Sequence, residues 1–145
     1  MRNKLIILFG VLVLAGCGKE KFESTPGLKL HSVNTKDLHR QELLRFSFTF
    51  TDKEGDLQDS IYVEKLVPQC ADSQFEQWYP LPAFPSTANQ KGELTVTFGY
   101  NVTEYADVKG PRCFRNDTAI FRFVLRDKAG NTSDTAVSPP IVIYE

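Results

Sequence analysis

Apolar and polar residues alternate one by one along several short segments of the chain, which is the period of a β-strand with one buried face. The clearest case is 42–51, in which every second side chain from Leu44 onward is apolar. The segments 94–98 and 120–126 repeat the pattern. We expect the apolar side chains on these faces to form the core: Leu44, Phe46, Phe48, Phe50, Leu94, Val96, Phe98, Phe121, Phe123 and Leu125.

Turn-forming residues separate the alternating segments, and no segment has the period of an amphipathic helix. The linker after residue 79 contains Pro80, Pro82 and Pro85, which cannot donate hydrogen bonds to a sheet. Strands are predicted at 28–33, 42–51, 61–67, 75–79, 94–98, 120–126 and 141–144. Seven or eight short strands at this spacing, each with one apolar face, predict an all-β sandwich of two sheets.

The N-terminal segment has the composition of a secretory signal peptide. Arg2 and Lys4 form a basic start, and the apolar run 5–14 follows them. This run is much shorter than the roughly 20 apolar residues that span a bilayer as a helix, so it is typical of a cleaved segment. We therefore expect residues 1–16 to be removed.

The sequence Leu-Ala-Gly-Cys at 14–17 matches the lipobox of bacterial lipoproteins, in which an aliphatic and two small residues precede an acceptor cysteine. The thiol of Cys17 is predicted to accept a diacylglyceryl group. Each buried CH₂ contributes about 0.8 kcal/mol, so two or more acyl chains such as palmitate hold a protein at a membrane. An ordinary signal peptide that ends before a cysteine is the alternative. The chain then divides into a signal peptide at 1–16, a lipidated tether at 17–27 and a domain at 28–145.

The residues that follow Cys17 bear on the membrane face at which the protein is attached. Gly-Lys-Glu-Lys at 18–21 resembles the short Lys/acidic export tag of many Bacteroidota lipoproteins, although Lys21 stands where a further acidic residue is common. Gly18 also lacks the aspartate that retains lipoproteins in the inner membrane of enteric bacteria. We expect attachment to the cell outer membrane facing the surface, with a periplasm-facing attachment left open.

Lipidation of Cys17 leaves an even number of cysteines, Cys70 and Cys113, in an oxidising compartment. A disulfide between them is predicted. Closing a loop of that length stabilises a fold by about 4 kcal/mol in the chain-entropy model. Two free buried thiols are the alternative.

Composition and motifs exclude some classes of function. The net charge of −1 becomes more negative when the basic signal peptide is lost, which argues against a nucleic-acid partner. His31 and His39 are the only histidines, and no nucleophile, zinc or phosphate-loop motif is present. We therefore expect no enzyme. Paired acids of the glycosidase type keep catalysis as a remote alternative.

Two loop motifs carry a resemblance to a known family. Phe-Thr-Phe-Thr-Asp-Lys-Glu-Gly-Asp-Leu at 48–57 and Phe-Val-Leu-Arg-Asp-Lys-Ala-Gly-Asn-Thr-Ser at 123–133 resemble the ends of strands B and F in small Bacteroidota surface lipoproteins. The resemblance spans roughly 28–145. It implies a single immunoglobulin-like (cadherin-like) antiparallel sandwich of 7–8 strands. In such a sandwich the loops that contain Cys70 and Cys113 lie at one end, which makes the disulfide plausible.

The same topology implies that the two motif loops meet at the opposite end. Asp52, Glu54 and Asp56 would then approach Asp127 and Asn131, and these oxygens form a candidate Ca²⁺ site. The spacing is not that of an EF-hand. Each loop also contains a lysine, and Asp and Asn in turns commonly bond their own backbone, so a turn without metal is the alternative. We expect no other cofactor.

Two further sets of residues are candidate sites. Trp78 and Tyr79 are a candidate ligand face, because aromatic side chains favour interfaces and sugar stacking. Packing in the core or at its rim is the alternative. Ser60, Thr118 and Thr135 each follow an aspartate and precede an aliphatic residue, which is the acceptor pattern of Bacteroidota O-glycosylation.

Together these features predict a lipid-anchored, non-catalytic binding or structural module of unknown ligand. An adhesin or glycan-binding component, stabilised by Ca²⁺ if the acidic loops bind it, is the main alternative. The predicted partners are a membrane, through the lipid, and a glycan or protein ligand.

Overall fold

Ten β-strands make up nearly all the regular structure of residues 24–145, the part of the chain that the computed structural model describes. The predicted signal peptide and Cys17 lie outside the described residues. The strands are β1 (Gly27–Val33), β2 (Asp37–Leu38), β3 (Leu43–Asp52), β4 (Ser60–Leu66), β5 (Phe75–Pro80), β6 (Gln90–Gly99), β7 (Ala106–Asp107), β8 (Asp117–Arg126), β9 (Ala136–Val137) and β10 (Ile141–Ile143). A 3₁₀ helix at Ala71–Ser73 joins β4 to β5. Within 24–145, no helix has the length and apolar character required to cross a bilayer.

The strands form two sheets, so the predicted sandwich is confirmed. One sheet has the order β1-β3-β6-β7, and the other has the order β2-β10-β8-β4-β5 with β9 also paired to β8. The prediction of wholly antiparallel sheets is wrong at two edges, because β7 pairs in parallel with β6 and β2 pairs in parallel with β10. The predicted strand count was also low. The additional strands β2, β7 and β9 have two residues each, too few to show an alternating pattern.

Phenylalanine rings from β3 and β8 meet between the sheets and form the centre of the core. The ring of Phe46 lies 5.0 Å from that of Phe121 and 4.9 Å from that of Phe123, measured between centroids. The ring of Phe48 lies 4.8 Å from that of Phe123. All four side chains are buried, as their alternation predicts. These contacts set the distance and alignment of the two sheets.

The predicted core positions of β6 are buried to different degrees. Phe98 is fully buried, whereas Leu94 and Val96 are only partly buried against the core. The reason is that β7 covers only the end of β6, where it pairs with Phe98 and Gly99. The rest of β6 is an open edge on that side.

The other sheet edges are short or irregular. The ladder between β1 and β3 shifts register between Leu30 and Ser32. Strand β5, the edge next to β4, ends at Pro80, which has no backbone N–H to donate. The two-residue strand β2 is the opposite edge of that sheet.

Two groups of loops lie at opposite ends of the sandwich. The acidic end consists of the loops at 53–59 and 127–135, which follow β3 and β8. The backbone N–H of Lys128 donates to the carbonyl of Asp56 at 3.0 Å and joins the two loops. The chain enters at this end, because Gly27 pairs with Thr51 at the end of β3.

The disulfide end consists of the loops at 67–74 and 108–116, which follow β4 and precede β8. The predicted disulfide between Cys70 and Cys113 is present here, with the two Cα atoms 6.0 Å apart. It joins the loops across the end of the sandwich.

Candidate functional site

The candidate ligand face at Trp78 and Tyr79 is divided between the two sides of β5. Trp78 points outward and is 39% exposed. Tyr79 points inward, with its ring 5.9 Å from that of Phe98, and burial raises its pKa. Consecutive side chains of a strand point to opposite faces, so the prediction that both residues share one ligand face is wrong for Tyr79.

Trp78 lies in a group of mutually contacting side chains on the outer surface of β5, β4 and β8. The ring of Tyr62, opposite Trp78 in the ladder, lies 5.3 Å away. The guanidinium carbon of Arg126 lies 4.2 Å from the centre of the Trp78 ring, which is the geometry of a cation–π contact. We call this surface the Trp78 face: Trp78, Tyr62, Arg126, Asp59 and Glu76.

Hydrogen bonds orient the polar members of the Trp78 face. Arg126 donates through Nε to Asp59 at 2.7 Å. A hydrogen bond from the Ser60 hydroxyl, and then the bond from Arg126, lower the pKa of Asp59. The Tyr62 hydroxyl donates to Glu76 at 2.6 Å, and this bond raises the pKa of Tyr62 to about 12. The face therefore offers an aromatic ring, a guanidinium and two carboxylates in fixed positions.

At the acidic end, Asp52 is buried without a hydrogen-bond partner. Only 1% of Asp52 is exposed, and neither of its carboxylate oxygens makes a hydrogen bond to the residues described. One carboxylate oxygen of Asp56 is also buried without a hydrogen-bond partner. Burial raises the pKa of Asp52, and the charges of Asp56 and, to a smaller extent, Asp127 raise it further. The nearby backbone amides of Asp56 and Glu54 partly oppose this shift.

Asp127 has partners within its own turn. The backbone N–H of Asn131 donates to one carboxylate oxygen at 2.7 Å, and the side-chain amide donates to the other at 2.8 Å. This is the turn chemistry expected of an Asp–Asn loop. Glu54 is exposed. The structure thus brings Asp52, Asp56 and Asp127 into one electrostatic group, and among the described residues no three His, Cys, Asp or Glu side chains are grouped to hold a metal ion.

The Pro-rich linker contacts the loop at 53–59, which follows Asp52. Gly55 has a φ of +73°, and a Cβ there would lie 2.1 Å from the carbonyl oxygen of Thr87. The Ser86 hydroxyl donates to the carbonyl of Gly55, and the N–H of Asn89 donates to the carbonyl of Lys53 at 2.8 Å. Glycine is therefore required at position 55, and the linker is held against the residues that follow Asp52.

The disulfide end presents a residue that the sequence patterns did not single out. Phe114 is 93% exposed. The signal for it in the sequence is an aromatic residue between Arg112 and Arg115, directly after a cysteine in a polar segment. Alternation cannot find such a residue, because it belongs to a loop and not to a strand.

A buried lysine ties the loop at 108–116 to the sandwich. Lys65 is fully buried and donates to the carbonyl of Lys109 at 2.5 Å, with the carboxylate of Asp117 at 3.6 Å. Burial lowers the pKa of Lys65 to about 8, and the charge of Asp117 opposes the shift. Lys109 in turn donates to the carbonyl of Gln74 at 2.7 Å.

The three candidate acceptors of O-glycosylation differ in exposure. Thr118 and Thr135 are exposed. Ser60 is buried at the start of β4, where its hydroxyl hydrogen-bonds Asp59. An acceptor in a folded chain needs an accessible hydroxyl, so the prediction is confined to Thr118 and Thr135.

Comparisons with known proteins assign no family. No family model and no curated protein matches the chain. Among solved structures, the sporulation control protein Spo0M from Bacillus subtilis is 9% identical, with 83% of this chain and 50% of that chain covered and a TM-score of 0.45. A Niemann-Pick type C2 protein from the Japanese carpenter ant is 14% identical, with 85% and 98% covered and a TM-score of 0.45. A β-glucosidase from Listeria innocua, in complex with gluconolactone, is 14% identical, with 83% and 16% covered and a TM-score of 0.44.

Replacing Asp52 by asparagine is expected to stabilise the fold at neutral pH. Because the folded-state pKa of Asp52 is raised, folding is favoured most below the unfolded pKa of about 4 and loses this advantage as pH rises through the folded pKa. Asp52→Asn removes the buried charge, so its melting temperature in EDTA should exceed that of the native chain at pH 7. The difference should shrink towards pH 4.

The exposed Asp134 in the neighbouring loop supplies the control, since Asp134→Asn should leave the pH profile unchanged. A lower melting temperature for Asp52→Asn at pH 7 would show that the carboxylate has a partner in solution.

Proposed function

We propose that this chain is a lipid-tethered, non-catalytic module that binds a ligand through the Trp78 face. The observation that carries the proposal is the outward Trp78 side chain with Arg126 at 4.2 Å and Tyr62 at 5.3 Å. Trp, Tyr and Arg are the residue types that contribute most binding energy at interfaces. Because contacts within the face already orient these side chains, less conformational entropy is lost when a ligand binds.

The lipid tether at Cys17, removal of residues 1–16 and attachment to the cell outer membrane belong to the same proposal. They are supported by the lipobox and by the apolar run before it. The relationship to small Bacteroidota surface lipoproteins is supported by the loop sequences after β3 and β8. The described chain begins at the acidic end, where the amide of Asn131 donates to the carbonyl of Ser24 at 3.4 Å. The acidic end would therefore face the membrane.

Replacing Cys17 by serine in the native host is expected to release the protein from membranes. The lipid is attached only through this thiol, so the variant should move to the soluble fraction and should lack the mass of the acyl groups. Fractionation and intact-mass measurement of the native chain and Cys17→Ser test this. A variant that stays in the membrane fraction with unaltered maturation contradicts the tether.

A glycan is the ligand class to test first, because an exposed tryptophan ring stacks on sugars. Trp78 is the only tryptophan, so its emission reports on this face alone. We expect at least one of starch, xylan or mannan to change the emission. By calorimetry, Trp78→Ala should bind that polysaccharide at least about 30-fold more weakly, the loss typical of a central aromatic contact.

Tyr105→Ala is the matched control, because Tyr105 is 44% exposed and precedes β7 in the other sheet. Its affinity should equal that of the native chain. Emission that none of the polysaccharides alters removes the glycan alternative and leaves a protein ligand for this face.

A second proposed role is cation binding at the acidic end, favoured by both carboxylate oxygens of Asp52 and one of Asp56, which are buried without a hydrogen-bond partner. Buried carboxylates without donors are costly, and a divalent cation would offset that cost. Ca²⁺ takes six to eight oxygen ligands, so backbone carbonyls and water would have to supply the rest. The exposed Glu54 and the amide of Asn131, which is turned to Asp127, are not part of this proposal.

Millimolar Ca²⁺ is expected to raise the melting temperature of the native chain but not that of Asp52→Asn. At 100 times the dissociation constant, the stabilisation is about 2.7 kcal/mol. Mg²⁺ at the same concentration controls for ionic strength. Equal melting curves with and without Ca²⁺ would show that the acidic end is a turn without metal.

A further inference from the structure

The loop at 108–116 carries the most exposed large apolar side chain in residues 24–145. Phe114 is 93% exposed, and the next, Val137, is 53% exposed. Burial of a phenylalanine side chain is among the larger stabilising contributions that a fold can gain, and Phe114 gains almost none of it. Its φ of +54° is also one that residues other than glycine seldom adopt. Packing within the described domain therefore does not explain why this side chain points outward.

The residues on both sides of Phe114 are tied to the loop at 67–74. The disulfide holds the preceding residue. The N–H of Arg112 donates to the hydroxyl of Ser73 at 3.0 Å, and the guanidinium of Arg115 donates to the carbonyl of Gln69. Because the loop backbone is already held, little backbone freedom is lost when a partner binds, which favours affinity. The structure thus fixes the place at which Phe114 leaves the surface of the domain.

Positive charge flanks Phe114 on both sides. Arg112 and Arg115 are exposed, and neither forms an ion pair with a carboxylate among the described residues. Arginine and aromatic residues are enriched at protein interfaces, and charge complementarity steers the choice of partner. A partner that buries Phe114 would meet both guanidinium groups at the edge of the contact.

The position of the loop favours a protein partner over a lipid surface. The loop precedes β8, whereas the chain enters the sandwich at the other end, near Gly27. Strand β8 has ten residues, so the two ends are roughly 30 Å apart. If the tether is attached as proposed above, Phe114 lies at the end remote from the anchoring membrane. Only the preference for a protein partner over a lipid surface rests on the proposed function.

We propose that Phe114 inserts into an apolar pocket of a partner protein, and that carboxylates at the rim of this pocket face Arg112 and Arg115. The disulfide end is then a second binding surface, separate from the Trp78 face. Neither surface requires the other.

Photocrosslinking from position 114 tests this inference in the native host. Phe114 is replaced by p-benzoylphenylalanine in the full chain, which keeps an aromatic side chain at this position. We expect irradiation to give one discrete adduct with a different protein. The yield should fall at least about tenfold when Arg112→Glu is added, because this rim charge would then repel the partner. Arg112 holds the loop only through its backbone N–H, which the substitution keeps. With the purified partner, Phe114→Ser should weaken binding at least about 30-fold.

Matched variants separate this inference from the other proposals. The same photoreactive residue at Val137, exposed on β9, should not give the adduct. The adduct should persist with Trp78→Ala, so failure of the Trp78 face leaves the test intact. An adduct with lipid, an adduct with a second copy of this chain, an adduct insensitive to the charge reversal, or no adduct would each overturn the inference.

Discussion

The packing of Phe46 and Phe48 from β3 against Phe121 and Phe123 from β8 is the constraint on which the rest of the structure depends. Both strands are internal to their sheets, because β3 lies between β1 and β6 and β8 lies between β10 and β4. Packing these two strands together therefore aligns both sheets. The alignment decides which loops meet. Because β3 and β8 both end at the same side, their acidic turns come together. Because β4 ends where β8 begins, the two cysteines come within bonding distance.

The alternating pattern was sufficient to predict the sandwich and its core, since burial of one strand face is a local property of the sequence. Phe46 and Phe123 are identified by their neighbours along the chain alone. The pairing of Cys70 with Cys113 followed from parity and from the expected topology. The edge strands β2 and β7 were not predictable in this way, because two residues cannot display a period and their parallel pairing depends on tertiary position.

The candidate sites were predictable only where function follows from side-chain type and strand geometry together. Trp78 and Tyr79 are consecutive residues of a strand, so alternation alone places them on opposite faces. The prediction of a shared ligand face used only their aromatic character and not this alternation. The cation–π contact of Arg126 with Trp78 depends on how β4 pairs with β8 and with β5, and no local sequence pattern encodes these two registers. The exposure of Phe114 depends on how its loop is held by the loop at 67–74, so it could be found only from the coordinates.

The edge strands of the two sheets determine how readily one molecule can associate with another by extending a sheet. Unpaired strand edges invite neighbouring molecules to extend a sheet, and natural proteins oppose this with short, irregular or proline-ended edges. Here β1 shifts register within its ladder, β2 and β7 have two residues each, and β5 ends at Pro80. The part of β6 that precedes Phe98, which β7 does not cover, has none of these features. A second copy that added a strand to either sheet would therefore find its place along this part of β6.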